Sequence, residues 1–293
     1  MKRLAAALLA LAASGCGGHR ATQPPHPHYE LGAAYEAEGS WFYPRAQYAA
    51  DETGLAMIAV APDRALTADG EPFDDDALAA AHPTSQLPAI ARLTNLETGR
   101  QVVVRINDRG PGRPDRLLAV TRRTAELLRF PASGVARIRL QVLPAESRAA
   151  VEALGGAPEE RIAIAAAPRE AVQAADLPAP GGRAAPARSV RVPANRAGEA
   201  AAPPPLRLPE TVTEVAPSPG MLWIDLGTFG QFEFAHRRAA RAAFAAPAIR
   251  RERRGHNESF RVQAGPFATV AAADAAFAQL RRSGITDARI VVE

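Results

Sequence analysis

The stretch VVVRINDRGPGR, residues 102–113, contains the clearest strand and the most informative turn of this chain. Three consecutive valines, with Ile106 two positions further on, predict a β-strand. The strand stops at residues 107–111, where turn-forming residues stand beside an acid and a base. Two interpretations are open: Asp108 caps backbone N–H groups and pairs with Arg109 in a structural turn, or it is a catalytic carboxylate at the mouth of a sheet. The short motif alone favours the structural turn, because matches of this size often arise by chance.

Several short apolar runs, separated by turn signals, surround this strand. They are LAMIAVA (55–61), AIARLTNL (89–96), QVVVRIND (101–108) and GVARIRLQVL (134–143). A helix is predicted over TRRTAELLRF (121–130), where Leu127, Leu128 and Phe130 supply the apolar contacts. Many short strands with one helix are typical of a small closed β-barrel, which we expect over residues 29–144.

Length and composition allow two modest domains. The chain has 293 residues and 47% of them are apolar, but alanine supplies much of that fraction and aromatic residues make up only 5%. Such a composition indicates small cores and long unpacked segments. The formal net charge is +4 with 31 acidic residues, which is weak support for any polyanionic partner, so we predict no nucleic-acid binding.

The N-terminus has the pattern of an export signal. Lys2 and Arg3 precede the apolar run LAAALLALAASG and then Cys16, the one cysteine of the chain. The run is too short to be a permanent transmembrane helix. Either residues 1–16 are a simple signal peptide with an incidental cysteine, or they are a lipoprotein signal that ends at a lipidated Cys16. We favour the lipoprotein, with residues 17–28 as a proline-rich tether and no disulfide framework.

The middle of the chain lacks the residues that build a core. From Pro144 to about Gly220 there is no aromatic side chain, and proline, alanine, glycine and arginine dominate. A segment of this kind buries too little apolar surface to offset the entropy of ordering. We predict a disordered linker over residues 145–218, with a helix possible around 148–175.

An internal repeat follows the linker. LWIDLGTF (222–229) and FRVQAGPF (260–267) are similar strands, each leading into a predicted helix, and Gly227 and Gly265 stand 38 positions apart. A closing strand is predicted at the end of the chain in DARIVVE. Two β-α units of this length predict a compact α/β domain over 219–293, with one sheet and two helices on one face.

Two further blocks identify a family. TADGEPFDDDALAAAHPT (67–84) and LTNLETGRQVVVRINDRGP (93–111) resemble, in order and spacing, conserved blocks of the rare lipoprotein A (RlpA) family, septal lytic transglycosylases of bacterial envelopes. The order of lipoprotein signal, barrel, linker and C-terminal domain also matches. The resemblance implies a mainly β fold: a double-psi β-barrel joined by the linker to a small, ribonucleoprotein-like α/β SPOR domain.

The resemblance also implies the chemistry. Asp108 and Glu71 fall on the two acidic positions that the family needs, and His82 on a nearby site position. Breaking a glycosidic bond needs a proton donor and stabilisation of an oxocarbenium-like sugar. A lytic transglycosylase then uses the 6-hydroxyl of that sugar in place of water, which gives a 1,6-anhydro end. We expect Asp108 to be the main acid/base, with the roles of the two acids open to reversal, and His82 to orient or tune one of them.

Further residues are expected to contact glycan. The predicted substrate-binding residues of the barrel are Asn107, Arg109, Thr67, Thr94 and Asn95. In the SPOR domain the predicted glycan-binding residues are Gly227, Phe229, Gln263, Gly265 and Phe267. The histidines show no metal-ligand spacing, so we predict no metal and no cofactor.

Departures from the family pattern keep other functions open. Residues 56–60, AMIAV, stand where relatives have an aromatic, glycine-containing stretch that would line the sugar cleft. Ala119 and Thr121 replace an aspartate and a serine of the family, and Asp69 replaces an asparagine. The alternative functions are a catalytically weak or inactive glycan-binding septal lipoprotein and an expansin-like barrel that loosens glycan without cleaving it.

The predicted partners follow from the same resemblance. They are denuded glycan strands of peptidoglycan, the membrane through the lipid on Cys16, and division-machinery proteins. Gly17 is not the aspartate that retains lipoproteins in the inner membrane, so we expect the periplasmic face of the outer membrane, enriched at the septum.

Overall fold

A computed structural model describes residues 24–60, 66–156, 207–254 and 257–293. The signal peptide, Cys16, most of the tether and the central linker lie outside these residues. The N-terminal domain consists of β1 (Tyr35–Ala37), β2 (Ser40–Phe42), β3 (Asp51–Ile58), β4 (Ala79–Ala81), β5 (Ala89–Asn95), β6 (Arg100–Asp108), β7 (Leu118–Val120), α1 (Arg122–Leu127), β8 (Val135–Val142) and α2 (Pro144–Ala153). None of the described helices is both long enough and apolar enough to cross a membrane.

Six of these strands close into a barrel. Their order is β4-β7-β3-β8-β5-β6, and β6 pairs back onto β4 to complete the ring. The pairs β3–β7 and β4–β6 are parallel, whereas the neighbours of β8 are antiparallel to it. Closure leaves no free edge around the ring. The expectation of a closed, mainly β barrel is confirmed.

Strand β6 shows how the sequence positions the site. Val102, Val104 and Ile106 alternate into the buried core of the barrel. The opposite face of the same strand carries Arg105 and Asn107, which are buried polar residues. One strand therefore anchors the core with one face and supplies the polar site with the other.

The predicted linker is ordered at both of its ends. Helix α2 packs on β5: Ile90 N donates to Ser147 Oγ at 2.9 Å and Ser147 Oγ donates to Ile90 O at 3.1 Å, while Val151 is fully buried. At the other end, β9 (Val212–Glu214) pairs antiparallel with the start of β6. Helix α2 overlaps the start of the helix allowed around 148–175, whereas β9 is a strand that the predicted linker did not include. A few well-placed side chains and backbone pairing hold these ends without an aromatic core.

The C-terminal domain is an antiparallel sheet covered by helices. It consists of β10 (Leu222–Phe229), α3 (Phe232–Arg241), β11 (Pro247–Arg254), β12 (Asn257–Phe267), α4 (Val270–Arg282) and β13 (Arg289–Val292), with the strand order β11-β12-β10-β13. Leu222, Ile224 and Leu226 of the sheet share a buried cluster with Phe277 and Leu280 of α4. The two predicted β-α units are present, and β11 is an additional strand that the sequence reading did not include.

Candidate active site

Asp108 lies at the end of β6 and its carboxylate is held by backbone. Oδ1 accepts hydrogen bonds from Ala68 N at 2.9 Å and from Arg109 N at 2.8 Å. Burial raises the pKa of the Asp108 carboxyl, against the opposing effects of these two N–H groups and of the Arg109 charge. The carboxyl therefore keeps its proton to a higher pH than an exposed aspartate, which suits a proton donor.

Glu71 is presented by a tight turn beside the barrel. Thr67 N donates to Glu71 O at 2.8 Å, and Gly70 adopts a φ of +82° within this turn. Its carboxylate is held from two sides: Arg105 Nη2 lies 2.7 Å from Oε1, and Asn107 Nδ2 donates to Oε2 at 2.8 Å. Glu71 is 4% exposed. Both carboxylate oxygens of Glu71 therefore have polar partners, which a buried carboxylate needs.

Asp69 is a third carboxyl in the same cluster, one that the motif reading treated as a turn residue. It is fully buried, and its Oδ1 accepts hydrogen bonds from Thr67 Oγ1 at 2.7 Å and from Glu71 N at 3.3 Å. Its Oδ2 makes no hydrogen bond to the described residues and lies 3.7 Å from Arg105 Nη2. Burial first, and then the charge of Glu71, raise the pKa of Asp69 to about 7. Two buried carboxyls thus lie beside one guanidinium, and the Asp69 carboxyl keeps its proton to a higher pH than an exposed aspartate does.

A cavity of about 430 Å³ opens beside Glu71. Its lining includes Glu71, Arg105, Asn107 and Leu208, but not Asp108. Leu208 lies near the C-terminal end of the predicted linker, so the end of that segment forms part of the wall. This contribution was missed because a leucine in a proline-rich run gives no signal of its destination.

His82 follows β4 and is a neutral imidazole. Its Nδ1 accepts hydrogen bonds from Thr84 N at 3.2 Å and Ser85 N at 3.0 Å, which assigns the ring proton to Nε2. Burial first, and then the charges of Arg109 and Arg45, lower the pKa of His82 to about 3. Its backbone N–H donates to Asp108 O at 3.0 Å. His82 therefore fixes the main chain at Asp108 and carries no charge at neutral pH.

Arg109 does not pair with the Asp108 side chain through a hydrogen bond. Its guanidinium donates to the carbonyl oxygens of Ser85 and of Leu31, the latter at 2.7 Å, and to Glu30 O at 3.4 Å. Arg109 thus braces the N-terminal segment against the site. Of the structural interpretation of this turn, one half is present: Asp108 caps backbone N–H groups. The other half, a side-chain hydrogen bond between Asp108 and Arg109, is not seen.

Two predicted substrate contacts lie away from the site. Thr94 pairs with Gln101 across the β5–β6 ladder, whereas Ile106, near Asp108, pairs with Ala89 at the other end of β5. Asn95 caps the turn that follows, since Oδ1 accepts from Glu97 N at 2.9 Å and Nδ2 donates to Leu128 O at 2.8 Å. Thr94 and Asn95 do not line the cavity beside Glu71, and the contacts of Asn95 are structural, so the structure adds no support to their predicted role in substrate binding. The family motif there reflects turn geometry at the far end of the barrel.

The five residues predicted in the SPOR domain fall into two groups. Gly227 and Gly265 have positive φ values of 110° and 128°, which favour glycine. Phe229 and Phe267 pack against the helix-covered core of the domain. The contacts of all four residues are thus structural. Gln263 is buried, and its Nε2 donates to Glu293 Oε1 at 2.8 Å.

Trp223 was missed by the sequence reading. It lies between the inward-facing Leu222 and Ile224, so its ring is on the other face of the sheet, with the Arg250 guanidinium 4.7 Å from the ring centroid. The sequence signal for this residue was a single tryptophan between two buried apolar positions of a predicted strand.

Comparison with known families agrees with this architecture. Residues 36–140 match the family model described as "Lytic transglycolase", a double-psi β-barrel, and residues 218–290 match the SPOR domain. The chain therefore has a lytic-transglycosylase-type barrel followed by a SPOR domain. The resemblance drawn from the motifs is confirmed.

Curated relatives match part of the chain. The chain is 34% identical over 124 residues to the endolytic peptidoglycan transglycosylase RlpA of Rickettsia bellii, which covers 41% of this chain and 55% of that protein. It is 53% identical over 78 residues to the protein of the same name from Escherichia coli K12, over 26% of this chain and 22% of that one. The chain thus spans about half of the length of the first relative and less than a quarter of the second.

Proposed function

We propose, from a lytic-transglycosylase-type barrel joined to a SPOR domain, that this chain is an endolytic peptidoglycan lytic transglycosylase. It cleaves MurNAc–GlcNAc bonds of denuded glycan strands and leaves 1,6-anhydroMurNAc ends. The observation that carries the proposal is Asp108, a partly buried carboxyl with a raised pKa at the end of a core strand. The next residue back, Asn107, holds the carboxylate of Glu71.

In this reaction Asp108 acts first as acid and then as base. Its carboxyl proton passes to the glycosidic oxygen as the bond from that oxygen to C1 of MurNAc breaks, which leaves an oxocarbenium-like sugar. The 6-hydroxyl of the same sugar then forms a bond to C1, and its proton returns to the Asp108 carboxylate. No water is consumed, and the acid is regenerated.

Glu71 supplies negative charge beside the cavity. Its carboxylate is fixed by Arg105 and Asn107, so it does not reorganise as positive charge develops on the sugar. Thr67 and Asn107 line the same cavity and are the barrel residues to which we assign substrate contact. His82 is a positioning residue, because it holds the backbone of Asp108.

One observation favours a second candidate, a glycan-binding septal lipoprotein with weak or no activity. Both oxygens of Glu71 are engaged and the residue is almost fully buried, so it is poorly placed to exchange a proton with substrate. Under this alternative the barrel holds the strand and does not cleave it.

The cellular setting is part of the proposal. A lipid on Cys16 anchors the chain to the periplasmic face of the outer membrane, and the SPOR domain enriches it at the septum, where division-machinery proteins are partners. Trp223, on the outer face of the SPOR sheet, is the residue we assign to denuded glycan, and the buried Gln263 supports this sheet through its hydrogen bond to Glu293.

The test uses a soluble form of the chain, residues 17–293, with denuded glycan strands. We expect Asp108→Asn to lower the rate of formation of new strand ends by at least a hundredfold, because no group of comparable acidity remains at that point. We expect Glu71→Gln to lower it by ten- to a hundredfold through lost charge stabilisation.

The matched control is Asp51→Asn. Asp51 is an exposed carboxylate of β3 that pairs with Arg139, away from the cavity. Full activity in this variant with loss in the other two supports the acid pair. Equal rates in all forms would contradict it, and binding without cleavage by the unmodified chain would favour the second candidate.

A further inference from the structure

The SPOR domain is packed against the outer wall of the barrel. Leu55 of β3 belongs to the barrel by sequence, but it is fully buried in the same apolar cluster as Leu222 and Ile290 of the SPOR domain. Leu96 and Val135 of the barrel also pack on that cluster. The barrel therefore presents an apolar surface, made by these three residues, that is covered by the second domain.

Polar contacts fix the register of this interface. Thr53 Oγ1 donates to Val292 O at 2.7 Å and accepts from Val292 N at 3.2 Å, which satisfies the backbone of the edge strand β13. Ser40 Oγ donates to Thr286 O at 3.0 Å. Gly54 leaves room for the approach, since a Cβ there would stand 3.3 Å from Ile290 O.

One contact leads to the active site. Arg116, 8% exposed, forms a bidentate pair with Asp274 of α4, with Nη1–Oδ1 at 2.8 Å and Nη2–Oδ2 at 2.9 Å. Arg116 belongs to the loop of residues 109–117, which begins at the residue after Asp108 and ends where Leu117 N donates to Leu55 O at 2.8 Å.

The near end of this loop is held by residues of the N-terminal domain. Arg109 is tied to Leu31, and a Cβ at Gly112 would stand 2.8 Å from Ala37 Cβ. The far end is held by the barrel through Leu117 N and Leu55 O, and by the SPOR domain through Asp274. Among the described barrel residues, Asp115 is the carboxylate that pairs with Arg116, at 3.0 Å. Without Asp274 the far end of the loop loses its bidentate anchor.

We propose that the SPOR domain is a positioning element for catalysis, in which Asp274 anchors the loop after Asp108 through Arg116. Asp274 and Arg116 are positioning residues and touch no reacting atom. Arg250 lies over the Trp223 ring and pairs with Glu293, all within the SPOR domain, whereas the barrel is contacted through α4 and the backbone of β13, so glycan binding and loop anchoring use different residues. The catalytic consequence rests on the proposed function, whereas the anchoring does not.

The test compares Asp274→Asn with Asp287→Asn in the chain of residues 17–293. Asp287 forms a similar bidentate pair with Arg238, inside the SPOR domain, and is the matched control. Hydrogen exchange read by mass spectrometry gives the protection of peptides from residues 109–117. We expect exchange at least fivefold faster in Asp274→Asn, unchanged exchange in Asp287→Asn, and partial recovery in Asp274→Glu, which keeps the charge.

The second readout is the cleavage of denuded glycan. We expect kcat to fall three- to tenfold in Asp274→Asn with KM and glycan sedimentation unchanged. Unchanged loop exchange, or equal loss of protection in both asparagine variants, would overturn the anchoring. Unchanged kcat despite faster exchange would overturn the catalytic role. If the unmodified chain cleaves no glycan, the proposed function fails, and the exchange result still decides the anchoring.

Discussion

At the scale of single residues, the site is a set of carboxyl groups that differ in their surroundings. Asp108 is held by backbone N–H groups, Glu71 by Arg105 and Asn107, and Asp69 by Thr67 with one oxygen left without a hydrogen bond. Burial raises the pKa of Asp108 and of Asp69, and a raised carboxyl pKa is what suits such a group to donate a proton.

Asp69 makes stability depend on pH in a defined direction. Its pKa rises from 3.8 to about 7 on folding, so the unfolded state loses its proton first and the free energy of unfolding falls as the pH rises from about 4 to about 7. Asp69→Asn removes this penalty. We expect it to raise the free energy of unfolding at pH 8 by about 1–3 kcal/mol and to change little at pH 4.

Urea unfolding of both proteins at the two pH values measures this effect. A stabilisation of equal size at pH 4 and pH 8 would mean that the gain is not electrostatic and that Asp69 is ionised in the folded protein at neutral pH.

His82 acts in the opposite direction. Its pKa falls from 6.5 to about 3 on folding, so the folded state resists protonation and stability is lost as the pH falls below about 6.5. NMR of the labelled imidazole should show no titration of His82 between pH 8 and pH 4.5, with the proton on Nε2. A titration midpoint above about 5 would contradict the neutral, buried ring.

At the scale of elements, the sequence predicted the strands with a regular apolar pattern and the repeated strand–helix units. Strand β6 follows from its valine run, and the repeat of two strand–helix units follows from the spacing of Gly227 and Gly265. Strand β11, PAIRRERR, has a charged composition, and it forms because it pairs with β12 along its whole length. That partner is not visible in local composition.

The packing partner of helix α2 is likewise not visible in local composition. The helix is attached to β5 through one buried hydroxyl, that of Ser147. Ser147 Oγ both donates to and accepts from the backbone of Ile90, so removing it takes away the acceptor of the buried Ile90 N, whereas Ile90 O still accepts from Leu143 N at 2.8 Å. We expect Ser147→Ala to lower the free energy of unfolding by about 1–3 kcal/mol. Glu146→Ala, at the exposed neighbouring position, is the control and should change it by less than about 0.5 kcal/mol. Equal effects would place α2 outside the cooperative fold.

The sheet of the SPOR domain gives a prediction about glycan. Trp223 offers an aromatic face bordered by Arg250, and we expect Trp223→Ala to weaken sedimentation with denuded glycan about tenfold, roughly the loss of one aromatic contact. The control is Trp41→Ala, which removes an exposed tryptophan of the barrel domain. Equal weakening by both changes would show that binding is not centred on this sheet.

At the scale of the whole molecule, the sequence indicated two domains and a linker but not their contact. The interface depends on Leu55, an apolar residue in a predicted barrel strand whose side chain faces outward, and on Arg116 and Asp274, which are 158 positions apart. Hydrophobic periodicity does not tell which partner a strand's outer face will meet. The packed arrangement brings the SPOR domain into direct contact with the loop that follows Asp108.

The most direct test of the central claim is the mass spectrum of glycan products released by the chain of residues 17–293 from denuded strands. Cleavage by a lytic transglycosylase forms the new end from the sugar's own 6-hydroxyl, so each product is lighter by one water than the corresponding hydrolysis product. We predict these 1,6-anhydro products, dependent on Asp108. Products with the added water, or strands bound but left intact, would contradict the account.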